Sequence, residues 1–210
     1  MEMITRQDWN KVFQEISSLM IEQKNLLTEI DAKFGDGDHG NTVCKIGHLL
    51  SDVAKEWSSS EESLKELFKK IGDGVLNVNG GSAGPLYGTY LGGFGENLND
   101  EVDTDATLLK KILLSGLTEL QFISNAKVGD KTMMDTLIPA TEAAQKANDD
   151  ILSIVKDAKE AAQAGAENTK NYVSKFGRAR LYKEQTIGTE DAGAMSCTYI
   201  FIGMYNALAK

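Results

Sequence analysis

The sequence contains few cysteines and few basic residues. Only two of its 210 residues are cysteine, Cys44 and Cys197, and they lie in different segments with no close-spaced partner. This spacing indicates neither a disulfide framework nor a zinc site, so we expect two reduced thiols. Lysine and arginine number 22 against 31 acidic residues, and the formal net charge is -9. Because phosphate binding along nucleic acid requires clustered lysine and arginine, this deficit argues against a nucleic-acid surface.

Long apolar runs are also lacking. The most apolar stretch, residues 197–209, is too short to span a bilayer and is better interpreted as a buried helix. Residues 1–10 are polar and acidic, without the apolar segment of a secretory signal. We therefore expect a cytoplasmic protein with no membrane segment.

Alternating strand patterns are nearly absent, and apolar residues instead recur at steps of three and four. No composition break or linker divides the chain, so we expect one all-α domain over residues 1–210, an up-and-down antiparallel bundle. The eight predicted helices lie roughly at residues 9–30, 41–56, 60–71, from 84 onward, 108–117, 132–148, 150–176 and 192–208.

Glycine and small polar residues are concentrated in four of the connections between helices. We call these the glycine-rich joints: the first at residues 35–41, the second at 79–84, the third at 127–132 and the fourth at 188–193. In an up-and-down bundle, alternate connections lie at the same end. Because two helices separate each joint from the next, all four are expected to meet at one rim.

The first joint belongs to the most distinctive motif, DAKFGDGDHGN, at residues 31–41. Its glycines match the G-x-G-x-x-G dinucleotide fingerprint, but a helical pattern precedes them instead of a strand, and their aspartates would repel a pyrophosphate. Asp31, Asp36 and Asp38 instead present three hard oxygen donors, which suit magnesium, and the glutamate of a calcium EF-hand loop is missing. A solvated acidic turn with Asp38 as a helix cap is the alternative. His39 is either a phosphate contact or a structural histidine.

The other joints contain groups that can meet an anion. In the second, residues 80–84 precede a helix start, whose free N–H groups bind anions, although a close helix–helix turn also requires glycine. The third has no complete G-x-x-x-x-G-K-[ST] motif, so Lys131 and Thr132 either reach phosphates or form an exposed lysine and a helix cap. Beyond it, Arg178 and Arg180 suit phosphate recognition or are surface charge. No nucleophile–base arrangement is legible, which is typical of phosphoryl transfer by positioning and charge neutralisation.

Four segments in series, GDGDHGN, GGSAGPLYGT, GDKTMMD and GRAR followed by IGTEDAGA, resemble the nucleotide-binding L subunit of dihydroxyacetone kinases. The resemblance runs from about Leu26 to the C-terminus. It implies an eight-helix barrel that holds ADP or ATP in loops at one end. It also implies phosphoryl transfer to dihydroxyacetone, or a related short ketose or aldose, held on a histidine of a K-type subunit. An M-type phosphocarrier protein would recharge the bound ADP, as in phosphotransferase systems.

The resemblance also assigns site residues. Asp31, Asp36 and Asp38 are expected to bind two magnesium ions that bridge the nucleotide phosphates. The nucleotide-binding residues are expected to be His39, Gly40, Asn41, Thr42, Ser82, Ala83, Thr132, Met133, Arg178, Asp191, Ala192 and Gly193. Met133 would flank the adenine, and Arg178 would help to close the site.

Departures from the family pattern leave the acceptor open. Ser82 and Ala83 are exchanged relative to the usual order, and Ala192 replaces a usual proline, which predicts a looser lid. After Arg178, most of the usual Ala-Ser-Tyr-Leu-Gly-Glu-Arg-Ser is replaced. A regulatory relative that keeps its nucleotide and docks a partner without turnover is therefore an alternative. A fatty-acid kinase-like protein is a third, although that family carries threonine at the position of His39, and a homodimer is also left open.

Overall fold

The structure, a computed structural model, describes residues 2–209. Within that range the chain forms nine α-helices, three short 3-10 turns and one isolated bridge between Ile4 and Thr104. The helices are α1 (Arg6–Glu22), α2 (Lys24–Asp31), α3 (His39–Ser58), α4 (Leu64–Leu76), α5 (Ala83–Gly92), α6 (Ala106–Ile123), α7 (Met134–Lys146), α8 (Ile151–Asn168) and α9 (Ala192–Leu208). The 3-10 turns are Gly93–Gly95, Thr169–Asn171 and Ala179–Thr186.

Side chains at the helix starts fix several of these boundaries. The Thr5 hydroxyl accepts from the Asp8 amide while the Asp8 carboxylate accepts from the Thr5 amide, and Ser63 forms the same reciprocal pair with Glu66. Such capping boxes satisfy amide groups that the first helical turn leaves unpaired. Single capping aspartates begin three more helices: Asp105, Asp150 and Asp191.

The helices pack side by side around a closed ring. Each of α3 to α8 contacts the next helix in the chain, α9 returns to contact α1, and α1 contacts α3. Helix α2 continues from α1 and packs against α3 and α9. Buried aromatic rings meet edge to face, with centroids 5.4 Å apart for Trp9 and Phe68, 5.5 Å for Phe68 and Phe94, and 5.0 Å for Phe94 and Tyr90. These contacts join α1, α4 and α5 through one apolar core.

The all-helical bundle predicted from the sequence is confirmed, with two corrections to the eight predicted helices. The first predicted helix is interrupted at Gln23, which ends α1 and precedes α2, so nine helices replace eight across residues 2–209. The helix predicted over 150–176 ends at Asn168. It ends there because Thr169 is held by contacts from outside the helix: its hydroxyl accepts from the Asp191 amide, and its carbonyl accepts from the Lys131 side chain. The same hydroxyl donates to the Ala166 carbonyl in the last turn of α8. Among the described residues, no helix combines the length and apolarity that a bilayer crossing requires.

Glycine permits the closest approach between α9 and α1. A Cβ added at Gly203 would lie 2.8 Å from the Ile16 backbone nitrogen, which cannot move without displacing α1. At Gly74 on α4, by contrast, an added Cβ would meet only the flexible end of the Leu49 side chain. Substitutions at these two glycines can therefore distinguish the effect of close helix packing from the effect of helix propensity.

We expect Gly203→Ala to lower the free energy of unfolding by roughly 2 kcal/mol, because the added methyl overpacks the contact between α9 and α1. Gly74→Ala should leave that free energy unchanged or raise it, since alanine is favoured over glycine in helices by about 1 kcal/mol. Urea denaturation followed by circular dichroism measures both. Equal losses in the two variants would contradict the close packing at Gly203.

Candidate functional site

Residues from all four glycine-rich joints line one cavity of about 330 Å³, a volume within the range of small-molecule sites. Twelve residues predicted from the sequence line it: Asp31, Asp36, Asp38, His39, Ser82, Ala83, Thr132, Met133, Arg178, Asp191, Ala192 and Gly193. The joints meet because the helices between them run back and forth around the ring. Helix counting along the sequence therefore located this rim.

Three carboxylates converge at one side of the cavity. Asp31, Asp36 and Asp38 each offer a carboxylate oxygen, and these oxygens lie within 4.8 Å of one another. We call residues 31–38 the acidic loop. A side chain at Gly35 would collide with the Asp31 carboxylate, so glycine is required for the acidic loop to fold over α2. Gly37 has a φ of 73°, a left-handed conformation that favours glycine and turns the chain between Asp36 and Asp38.

The carboxylates repel one another. The pKa of Asp38 is raised above its usual range by burial first and then by the charges of Asp36 and Asp31. The Arg178 guanidinium lies 2.8 Å from the Asp36 carboxylate and offsets part of this charge. Three hard oxygen donors at this spacing fit a divalent cation such as magnesium, which would relieve the repulsion more fully than one exposed arginine.

His39 is held at the start of α3 by a buried hydrogen-bond network. Its Nε2 lies 2.8 Å from the Ser196 hydroxyl, which also accepts a hydrogen bond from the Tyr87 hydroxyl at 2.7 Å. The Ser196 hydroxyl lies 3.0 Å from the Gly193 carbonyl oxygen. Burial lowers the pKa of His39, so the imidazole is neutral at neutral pH. The histidine therefore ties the acidic loop to α9 as well as facing the cavity.

The third joint is shaped by a carboxylate that the sequence analysis did not assign. Asp135, in the first turn of α7, accepts hydrogen bonds from the Gly129 amide at 2.5 Å and the Thr132 amide at 2.7 Å. Gly129 adopts a φ of 94° to make this turn. A Thr132-x-x-Asp135 spacing at a helix start was the available signal, since it is typical of a capping arrangement.

Residues 170–188, which we call the lid segment, cross the open side of the cavity. Arg178 reaches Asp36, and the Tyr182 ring lies 5.2 Å from the Phe34 ring, so the lid segment contacts the acidic loop twice. Gly188 donates from its amide to the Lys170 carbonyl at 2.7 Å, which brings the two ends of the segment together.

Asp191 and Ala192 begin α9 beneath the lid segment. The Asp191 carboxylate accepts from the Ala194 amide at 2.8 Å. Burial raises the pKa of Asp191 to about 7, and the charge of Asp135 adds to the shift. Ala192 occupies the first helical position, where proline is well accommodated, so the replacement leaves the helix start intact.

Three predicted nucleotide-binding residues do not line the cavity. Gly40 lies where α3 crosses α2, and a side chain there would collide with the Lys24 carbonyl. Thr42 is buried against Gly80, and its hydroxyl donates to the Asp38 carbonyl at 3.2 Å. Asn41 is exposed on the outer face of α3. In the structure, Gly40 and Thr42 shape the loops around the cavity.

The sequence analysis also missed the apolar part of the cavity. Its apolar lining comes from helix faces, from the acidic loop and from the lid segment, at Ile30, Phe34, Leu86, Tyr87 and Phe176. Helical spacing indicates that such residues are buried, but it does not distinguish a core contact from a ligand contact.

The sequence matches the DAK2 domain family over residues 33–206. It is 32% identical to the ADP-binding subunit DhaL of the PEP-dependent dihydroxyacetone kinase 1 of Listeria innocua, over 87% of this chain and 87% of that subunit. It is also 32% identical to the L-erythrulose kinase of Pectobacterium atrosepticum, over 83% of this chain but only 30% of that protein.

The fold is similar to the dihydroxyacetone kinase of C. freundii, with a TM-score of 0.72 and 27% sequence identity. The similarity covers 94% of this chain and 34% of that kinase, so this chain corresponds to about a third of it. The complex of the same kinase with AMP-PNP and Mg2+ matches with a TM-score of 0.69 and 25% identity. The match over residues 33–206 and the likeness to a DhaL subunit along most of its length establish that this chain belongs to the DAK2 domain family, as a protein of the DhaL type.

Proposed function

We propose that this chain is the nucleotide-binding subunit of a kinase of the dihydroxyacetone kinase type. The observation that carries the proposal is the convergence of Asp31, Asp36 and Asp38 at a cavity built from four loops. A polyphosphate is repelled by a protein with a net charge of -9 unless cations intervene, and these carboxylates are placed to hold them. The ADP-binding relatives and the AMP-PNP and Mg2+ complex of the C. freundii kinase support this assignment.

In this proposal the acidic loop holds two magnesium ions through Asp31, Asp36 and Asp38. Bound magnesium would neutralise phosphate oxygens and polarise the phosphoryl group that is transferred. Arg178, which pairs with Asp36, is placed to turn toward the phosphates when the carboxylates take up metal. The chain's own contribution is thus the alignment of charge around the phosphates.

The nucleotide is proposed to lie between the start of α5 and the apolar side of the cavity. Ser82 precedes α5 without forming a side-chain cap, which leaves the amide groups of the first turn available to phosphate oxygens. Met133 and the neighbouring apolar lining offer an apolar surface to the adenine ring. His39, Thr132 and Asp191 line the same cavity.

The acceptor is proposed to come from a partner subunit. Among the described residues that line the cavity none is a cysteine, and burial raises the pKa of the Cys197 thiol on α9 to about 12, so it is not a thiolate. His39 is already held by Ser196. We propose a K-type subunit that holds dihydroxyacetone or a related short ketose, and an M-type phosphocarrier that recharges ADP. The erythrulose kinase among the relatives supports a class of acceptors wider than one triose.

Turnover tests this assignment. Purified chain mixed with K-type and M-type subunits, phosphoenolpyruvate and dihydroxyacetone should form the phosphorylated ketose steadily, and the same mixture should be tried with erythrulose. Omission of any one protein should stop product formation, because no single component carries all the groups. Tightly bound nucleotide without product, for either ketose, would instead favour the regulatory alternative, which the altered residues after Arg178 motivate.

Measurements of Mg-ADP affinity and of melting temperature distinguish the role of the carboxylates in metal binding from their effect on folding. Asp36→Asn and Asp38→Asn should each weaken Mg-ADP binding at least roughly tenfold in calorimetry, because each removes a negative oxygen ligand. Without metal the same variants should keep or raise the melting temperature, since they relieve like-charge repulsion at the acidic loop. Asp52→Asn, an exposed change on α3, is the matched control and should alter neither value. Unchanged Mg-ADP affinity in both loop variants would refute the metal site.

The buried capping carboxylate predicts a pH effect on stability. The pKa of Asp191 rises from an ordinary value of 3.8 to about 7 on folding. Between these two pH values the Asp191 carboxyl is protonated in the folded chain and ionised in the unfolded chain. The contribution of Asp191 to the free energy of unfolding is therefore fully present below pH 3.8 and is lost as the pH rises toward 7. Asparagine caps helices without ionising, so the melting temperature of nucleotide-free Asp191→Asn, relative to wild type, should increase from pH 5 to pH 8.

The control for this measurement is Asp150→Asn at the start of α8. Asp150 also caps a helix, but hydrogen bonds to Ser153 lower its pKa, so its charge does not change between pH 5 and pH 8. The difference between this variant and wild type should stay constant over that range. A difference for Asp191→Asn that stays equally flat would show that the buried carboxylate is ionised throughout.

A further inference from the structure

Lys131 is strained at its backbone and buried at its side chain. Its φ of 61° is in the left-handed region, which lysine rarely adopts, and only 4% of its surface is exposed. A conformation of this kind persists where surrounding contacts hold it. The contacts of the side-chain nitrogen identify what holds it.

The Lys131 ammonium donates to three backbone carbonyls. Its Nζ lies 2.7 Å from the Thr169 oxygen, 2.8 Å from the Thr186 oxygen, and also within hydrogen-bond reach of the Thr189 oxygen. An ammonium has three hydrogens, so each can be directed to one carbonyl. Lys131 also lines the cavity, but a phosphate contact would require one of these bonds to break.

The three carbonyls flank the two ends of the lid segment. Thr169 immediately precedes the segment, whereas Thr186 and Thr189 lie at its far end, where the Thr186 hydroxyl also accepts from the Ser174 amide at 3.0 Å. One cation therefore joins the beginning and the end of an excursion of about twenty residues. The carboxylates of Asp135, Glu190 and Asp191 are the opposite charges that act on it.

We propose that Lys131 is a positioning residue, a buried cation that ties both ends of the lid segment to the third joint before any nucleotide binds. It acts on the site through the segment it fixes. The tied segment places Arg178 against Asp36 and Tyr182 against Phe34, on the opposite side of the cavity. This inference concerns the chain without nucleotide, so it stands or falls separately from the kinase activity proposed above.

Amine labelling of the wild-type chain provides the first test. In protein freed of nucleotide and metal, acetic anhydride should modify Lys131 at least roughly tenfold more slowly than exposed Lys127, as mass spectrometry can measure, because the bonded ammonium reacts only when the segment opens. Equal rates at the two lysines would overturn the proposal. Protection of Lys131 that arises only when Mg-ADP is added would also overturn it, by identifying a phosphate contact.

Limited trypsin digestion provides the second test. The lid segment offers cleavage sites after Arg178, Arg180 and Lys183. In nucleotide-free Lys131→Met, which keeps an unbranched side chain but removes the ammonium, cleavage at these sites should accelerate at least roughly tenfold, because charged hydrogen bonds to the ends of the segment are lost. Lys127→Met is the matched control and should be cleaved at the wild-type rate.

Cleavage after Lys156, on the exposed face of α8, reports whether the variant opens locally or globally. The proposal requires this bond to be cut at the wild-type rate while the lid segment is cut faster. An unchanged rate at the lid segment, together with weaker Mg-ADP binding, would overturn the proposal in favour of a direct phosphate contact. If the variant unfolds as a whole, the labelling of wild-type Lys131 decides the question, since it uses no variant.

Discussion

The structure of the candidate site depends on contacts that offset the repulsion among three closely spaced carboxylates. Asp31, Asp36 and Asp38 bring oxygen atoms within 4.8 Å of one another in a chain that is already strongly acidic. Such crowding opposes folding unless other contacts outweigh it. Glycine at position 35 removes the steric barrier, the His39 amide lies 3.3 Å from the Asp31 carboxylate, and Arg178 supplies a counter-charge. The acidic loop is thus held in a shape that a divalent cation would stabilise further.

The packing of the closed ring of helices offsets the repulsion between the three carboxylates. Packed helices flank the first three glycine-rich joints, and the fourth leads from the lid segment into α9. Because α9 returns to α1, these helices limit how far the joints can spread apart to relieve the repulsion. Buried polar contacts then cross from one joint to another: His39 reaches Ser196 on α9, and Tyr87 on α5 reaches the same hydroxyl. These bonds couple the acidic loop to the second and fourth joints, so the cavity is largely formed before a ligand enters.

Helical periodicity and the positions of glycine were sufficient to predict the bundle and the common rim, whereas the resemblance to the L subunit assigned most of the predicted residues that line the cavity. Other features were not accessible, because they depend on contacts between distant segments. The alanine- and lysine-rich pattern near residue 168 favours a longer helix, yet the tertiary bonds of Thr169 end it. The sequence left Lys131 as either a phosphate contact or an exposed lysine, and the second alternative is wrong because the side chain is buried. Its three carbonyl partners lie from 38 to 58 residues away along the chain. Gly40 and Thr42 belong to the motif through packing, a distinction that spacing alone does not make.

The lid segment suggests where this chain has diverged. Lys183 adopts φ 49° and ψ −128°, a conformation that favours glycine, and glycine is usual at this position in the family pattern that the sequence resembles. The backbone at Lys183 thus makes a turn that glycine accommodates, although lysine in such a region costs about 1 kcal/mol or more. The altered side chains are mainly on the outside: Leu181 is 75% exposed, and Lys183 and Gln185 are also exposed. On the side that faces the cavity, Arg178 contacts Asp36 of the acidic loop. The segment thus exposes most of the residues that depart from the family pattern. Under the proposed function, this exposed surface is where a different acceptor or partner subunit would be recognised.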